Sequence, residues 1–104
     1  MGSYRVELTK AARQEIRNLP GNVRQLIFRE IQELEKDARP SVSQAMKSTE
    51  NFKIPEGMEL RRIRMDRWRV VYVMEQALSL VTVLAVRKRP PYQYEDLEEL
   101  LKEV

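Results

Sequence analysis

Eight basic residues crowd into one stretch of the chain: Arg61, Arg62, Arg64, Arg67 and Arg69, then Arg87, Lys88 and Arg89. Arginine suits phosphate because its planar fork donates two hydrogen bonds at once and keeps its charge at any physiological pH. Trp68 lies inside the first group, and Tyr92 and Tyr94 follow the second. Aromatic rings stack on unpaired bases. Residues of these types at these spacings suit the holding of a nucleic-acid backbone, or the stabilisation of charge building on a phosphate under attack. They do not by themselves separate binding from cleavage.

Other chemistries are poorly served. The chain has no histidine and no cysteine, which removes the usual general base, the usual zinc ligand and any disulfide. Glu15, Glu30, Glu33 and Glu35 fall on helix faces expected to be solvated, so no metal site is expected. Gly21 and Gly57 lie in unrelated turns and make no phosphate-cradling loop. No cofactor is implied. The net charge is only +3, but it is unevenly spread. Residues 53 to 92 carry nine Lys or Arg against four Asp or Glu, and residues 95 to 104 carry five acids against Lys102 alone. A basic centre beside an acidic tail points to a polyanionic partner for the centre. No apolar run approaches membrane length, and no signal-peptide core is present, so a cytoplasmic protein of one domain, residues 1 to 104, is the expectation.

The elements that must position these residues follow from periodicity. Tyr4 to Leu8 alternates as a half-buried strand. Thr9 caps a helix with Ala12, Ile16 and Leu19 on one face. Leu19-Pro20-Gly21-Asn22 breaks it, and Asn22 with Gln25 resembles a capping box for a second helix. There Val23, Leu26, Ile27, Ile31 and Leu34 form the inward stripe, ending near Asp37 or Ala38 because Pro40 follows. Residues 39 to 57 read as loop, with one helical turn around Gln44 to Lys47. Leu60 to Met65, Trp68 to Glu75 and Ser79 to Arg87 read as strands, with Asp66-Arg67 as a turn. The last strand is apolar on both faces and belongs in the middle of the sheet. Glu95 to Glu103 is a short helix with Leu97, Leu100 and Leu101 inward. The expected fold is α+β, a small, mainly antiparallel twisted sheet packed against an N-terminal helical hairpin, in the order β-α-α-β-β-β-α.

Pairing of the last two strands brings Arg69 near Arg87 to Arg89 at one edge of the sheet. Alternation sends Arg62 and Arg64 to one face and Ile63 and Met65 to the other, core-facing one. Plainer readings stand beside these. An arginine-rich strand is often only a solvated face, Trp68 and Tyr72 are side chains that commonly pack, and Tyr92 and Tyr94 can anchor the last helix.

The segments Tyr4–Ala12, Leu19-Pro20, Leu60–Tyr72 and Val83–Arg89, in this order and spacing, resemble the RelE/ParE toxin superfamily over nearly the whole chain. That resemblance implies the toxin of a type II toxin–antitoxin pair. RelE-like members cut mRNA, usually on the ribosome; ParE-like members lack the catalytic basic residues and poison DNA gyrase. Arg69 and Arg89 match the strand arginines of the cleaving branch, and Arg62 and Arg64 match its basic positions on the preceding strand. The resemblance therefore implies an endoribonuclease with Arg62, Arg64, Arg69, Arg89 and either Tyr92 or Tyr94 in the catalytic site. Arg61, Arg67, Trp68, Arg87 and Lys88 would contact RNA. Its partners would be a RelB-like antitoxin, the ribosome and mRNA, with no membrane role. A gyrase poison without nuclease activity is the alternative.

Overall fold

The computed structural model describes residues 3–47, 53–88, 97–102 and 104. In chain order these form β1 (Arg5–Leu8), α1 (Lys10–Arg17), α2 (Gly21–Glu33), β2 (Ser43–Ala45), β3 (Glu59–Met65), β4 (Trp68–Glu75), a 3-10 turn (Gln76–Leu78), β5 (Leu80–Lys88) and α3 (Leu97–Leu101). The five strands make one sheet in the order β1-β5-β4-β3-β2. β1 runs parallel to β5 and every other pair is antiparallel. The α+β architecture and its element order are those expected, with one strand added.

The central strands are apolar on both sides because both sides are covered. One core joins α1 and α2 to the sheet through Ala12, Ile16, Ile27, Ile31 and Leu34 packed on Ile63, Val70, Tyr72, Val81, Val83 and Val86. The opposite face has its own core: Leu60, Val71, Val73, Leu84 and Ala85 under Leu100 and Leu101 of α3. The second face is thus partly roofed. The Tyr72 hydroxyl, wholly buried, donates to the Ala38 carbonyl at 2.6 Å and ties the end of the helical hairpin to β4. Burial pushes that hydroxyl above its ordinary value.

Thr9 does more than cap α1. Its Oγ1 accepts from the Ala12 N–H at 3.0 Å and donates to the Leu84 carbonyl at 3.0 Å, while its N–H donates to the Val83 carbonyl. One residue thereby ends β1, starts α1 and locks both to β5. The lock falls at a β-bulge. Tyr72 pairs with Val83 but Val71 pairs with Ala85, so Leu84 is the extra residue on β5. The β3–β4 hairpin closes through Asp66-Arg67, with Asp66 at φ +56°. Two-residue hairpin loops need such left-handed positions, and Asp tolerates them better than most residues.

Four expectations are corrected. Residues Gln44 to Lys47 do not form a helical turn: Ser43–Ala45 is a strand pairing with Ile63, Arg62 and Arg61 of β3. Three residues are too few to show a period, so only the partner strand specifies them. The Asn22–Gln25 box does not cap α2, which starts at Gly21 after Pro20 with no side-chain cap. Pro20 has no N–H to leave unsatisfied there, and its fixed φ leads directly into the helix. α2 ends at Glu33 rather than near Asp37, and single turns carry the chain on from Leu34. Leu26 is 53% exposed instead of lying in the inward stripe.

The segment after α2 is fastened to β3 by charge. Arg39 donates from Nε and Nη2 to the Glu59 carboxylate at 2.9–3.2 Å, and Arg61 pairs with the same group. The Arg39 hydrogen bond, opposed by burial and aided by Arg61, holds the Glu59 carboxyl below its ordinary value. A depressed folded-state value means that the stabilisation is present above the unfolded value of 4.5 and lost as pH falls through the folded one. Wild type should therefore melt higher than Glu59→Gln at neutral pH, and the gap should close below pH 4.5. Thermal melts of both proteins across this range test it; a gap independent of pH would refute it.

Candidate functional site

The strand register brings the arginines together. Arg64 on β3 pairs with Arg69 on β4, and Arg69 pairs with Arg87 on β5, so three arginines stand in one row across three strands. Arg62 lies two residues along β3, opposite Val71, on the same face. This is the face of α3, away from the helical hairpin, as alternation along Leu60 to Met65 requires. Like charges placed directly opposite on adjacent strands repel. Such a row is stabilised by an anion laid along it.

Each member is held differently. Arg69 is only 5% exposed. Its Nη1 donates to the carbonyls of Asp66 (2.9 Å) and Trp68 (2.8 Å), which braces the β3–β4 turn. Nη1 alone makes both bonds. Among the described residues no buried side-chain nitrogen lacks a partner, so the remaining donors of Arg69 touch solvent. Its charge is thus fixed in place with donors to spare. Arg62 reaches Gln44 Oε1 at a weak 3.4 Å. Arg64 is exposed and has no hydrogen bond or ion pair to a described residue. Among the described residues no carboxylate pairs with Arg62, Arg64 or Arg69.

Arg87 is the exception, and it corrects a reading of α1. Glu15, expected on a solvated face, is half-buried. Its Oε1 accepts the Val86 N–H at 2.8 Å and its Oε2 accepts from Arg87 Nε at 2.9 Å. β1 pairs only with Leu80–Val83 of β5, so beyond that point α1 supplies the missing acceptor through Glu15. The signal was its place beside Ile16, one turn after Ala12, at the border of the apolar stripe.

The other expected site residues divide. Arg61 pairs with Tyr72 on the hairpin face, and its guanidinium is spent on Glu59 and on Ser43 Oγ (3.0 Å). It does not join the row. Trp68 is half-buried and packs with Met65 against the hairpin core, on the side opposite Arg69. Arg67 is exposed in the turn. Lys88 is exposed and in register with Trp68, one residue past the row. Arg89, Tyr92 and Tyr94 lie outside the described residues. Sequence reasoning missed Gln44, which meets Arg62 only because β2 exists.

The site can hold a phosphate group by two or more guanidiniums and stabilise added charge on it. Among the described residues no group of three or more Asp or Glu could hold a metal ion. No described helix is long and apolar enough to cross a membrane.

No protein-family model matches the sequence. No curated protein matches it either. Solved structures do match. The archaeal RelE–RelB complex from Pyrococcus horikoshii superposes with a TM-score of 0.72 at 19% identity, over 86% of this chain and 99% of the matched one. The RelBE2 toxin–antitoxin complex of Mycobacterium tuberculosis gives 0.67 at 20% identity, over 84% and 99%. A free E. coli RelE toxin carrying two arginine-to-alanine substitutions gives 0.63 at 17%, over 100% and 99%.

Proposed function

We propose that this chain, which has the RelE fold, is the toxin of a type II toxin–antitoxin pair and cuts mRNA on the ribosome. The observation that carries the reading is the Arg64–Arg69–Arg87 row, concentrated on one face of that fold and opposed by a single carboxylate among the described residues.

In the proposed reaction the message's own 2′-hydroxyl attacks the adjacent phosphorus. The 2′-O–P bond forms, the P–O5′ bond breaks, the 2′-hydroxyl proton is lost and the 5′-oxygen gains one. The products are a 2′,3′-cyclic phosphate and a 5′-hydroxyl. Charge on the phosphorane is met by Arg62, Arg64 and Arg69, the last pre-positioned by its two carbonyl bonds. Arg89 neutralises or protonates the leaving oxygen, and Tyr92 or Tyr94 orients the base or nucleophile. The requirement for a 2′-hydroxyl makes the enzyme specific for RNA. A chain without histidine has a weak general base at best, which suits an enzyme that borrows positioning from the ribosome.

The proposed partner is a RelB-like antitoxin, since two of the structural matches are toxin–antitoxin complexes. Exposed Leu26 and Val42 border a groove of about 480 Å³ between α2 and the β3–β4 turn, floored by Ile27, Met65 and Trp68. An antitoxin helix laid on the hairpin would cover such apolar surface and bring acidic residues to the arginine face.

Induced expression in bacteria tests the reading. Translation should stop, and primer extension should find cuts in message on ribosomes at rates far above those on free RNA. Intact message accompanied by DNA breaks and an SOS response would replace it with a gyrase poison.

A further inference from the structure

Beside the arginine row, at the β2 edge of the sheet, lies a pocket of about 260 Å³ lined by Ser41, Val42, Ser43, Gln44, Arg62 and Arg64. Two of its six residues are arginines, three are neutral and polar, and none is acidic. The larger groove along α2 differs, because Glu30 and Asp66 stand on its rim and would repel a phosphate. Within the small pocket the donors outnumber their partners. Arg62 has only the 3.4 Å contact to Gln44 Oε1, and Arg64 has no hydrogen-bond partner among the described residues. The Ser41 hydroxyl and the Gln44 amide nitrogen likewise make no hydrogen bond to a described residue. Ser43 is already committed: it donates to the Pro40 carbonyl at 2.7 Å and accepts from Arg61 Nε at 3.0 Å, which fixes one wall. A concavity rich in unspent donors, with the Gln44 amide oxygen as its one side-chain acceptor besides Ser hydroxyls, is matched by an anion with several acceptor oxygens.

Its position gives it a direction. Strands lie roughly 4.8 Å apart, so the β3 side of the pocket is roughly 10 Å from β5. The arginine row and the pocket together make a cationic track that crosses the strands, from Arg87 through Arg69 and Arg64 to the β2 edge. We infer that the pocket binds a second phosphodiester of the message, next to the one that is cut, with Arg62 and Arg64 between the two and Gln44 and Ser41 on the flanking group. This rests on the proposed RNA substrate. Gln44 has no part in the chemistry; it selects how the strand lies.

The test uses Gln44→Glu, which keeps the size of the side chain and places a carboxylate beside Arg62. Gln44 is exposed, so the fold is expected to persist, and Ser41→Asp introduces the same charge from the neighbouring wall. Cleavage is measured on programmed ribosomes, with messages carrying one neutral methylphosphonate at each position flanking the cut in turn. Both variants should cut natural message about tenfold more slowly, the size of one lost charge-assisted contact. At one flanking position the methylphosphonate should slow wild type about tenfold and the variants no further, because the contact is already gone. Independent, multiplying effects, or no sensitive flanking position, would overturn the inference. Wild type that leaves natural message intact would instead sink the endoribonuclease reading and leave nothing for the pocket to flank.

Discussion

Arg69→Ala should stop message cleavage, with a loss of roughly 10²- to 10³-fold on ribosome-bound message, the usual cost of deleting a preorganised donor. It should also destabilise the protein by about 1 kcal/mol, because the Asp66 and Trp68 carbonyls lose their donor in a partly buried setting. The two effects share a cause. Arg69 braces the same turn that holds Asp66 in its left-handed conformation, so the guanidinium is fixed before substrate arrives. Arg69→Lys separates them. An ammonium keeps the charge but lacks the fork that serves two carbonyls and a phosphate together. Single-turnover cleavage and thermal melts on both variants check this. Full activity in Arg69→Ala would remove the residue from the reaction.

The largest structural effect is expected at Leu84. It is wholly buried in the core beneath α3, yet its carbonyl bond to Thr9 is made by the backbone. Leu84→Ala therefore deletes packing and leaves the Thr9 lock in place. The loss should be about 2–5 kcal/mol, the range for a buried leucine that leaves a cavity. For a domain of this length that lowers the melting temperature by roughly 10 °C or more. A loss under about 1 kcal/mol would mean that the second face is not a packed core.

Most of the fold was legible because β3, β4, β5 and α1 carry their own signals. The runs at 70–74 and 80–86 are β-branched and long enough to show that both faces are covered, and Thr9 sits where a cap must. Where the reading failed, the deciding interaction was remote. Ser43–Ala45 is a strand only because β3 offers it a partner. Glu15 binds Val86 and Arg87, more than 70 positions away. Asn22 has the form of a cap, but Pro20 reaches the helix start first. Leu26 has the right spacing, but it borders the groove along α2 and is left exposed. The nearness of Arg69 to Arg87 was foreseeable from hairpin pairing, and the shared face of Arg62 and Arg64 from alternation. The side that Arg87 takes depended instead on the bulge, and the split between Arg61 and its neighbours on where Glu59 and Ser43 fell.

Pairing by alternation gives a strand a parity: counting residues decides which side of the sheet a side chain serves. Up to Val83 the odd-numbered positions of β5 serve the hairpin core, and after the bulge the even-numbered Val86 does. That single uncounted residue hands Arg87 to the side of Arg64 and Arg69. Were Leu84 paired in line instead of bulged, Arg87 would turn toward the helices, leaving the cationic track one member short. A bulge of one residue, invisible to composition and to charge, is what lets three strands contribute to one surface.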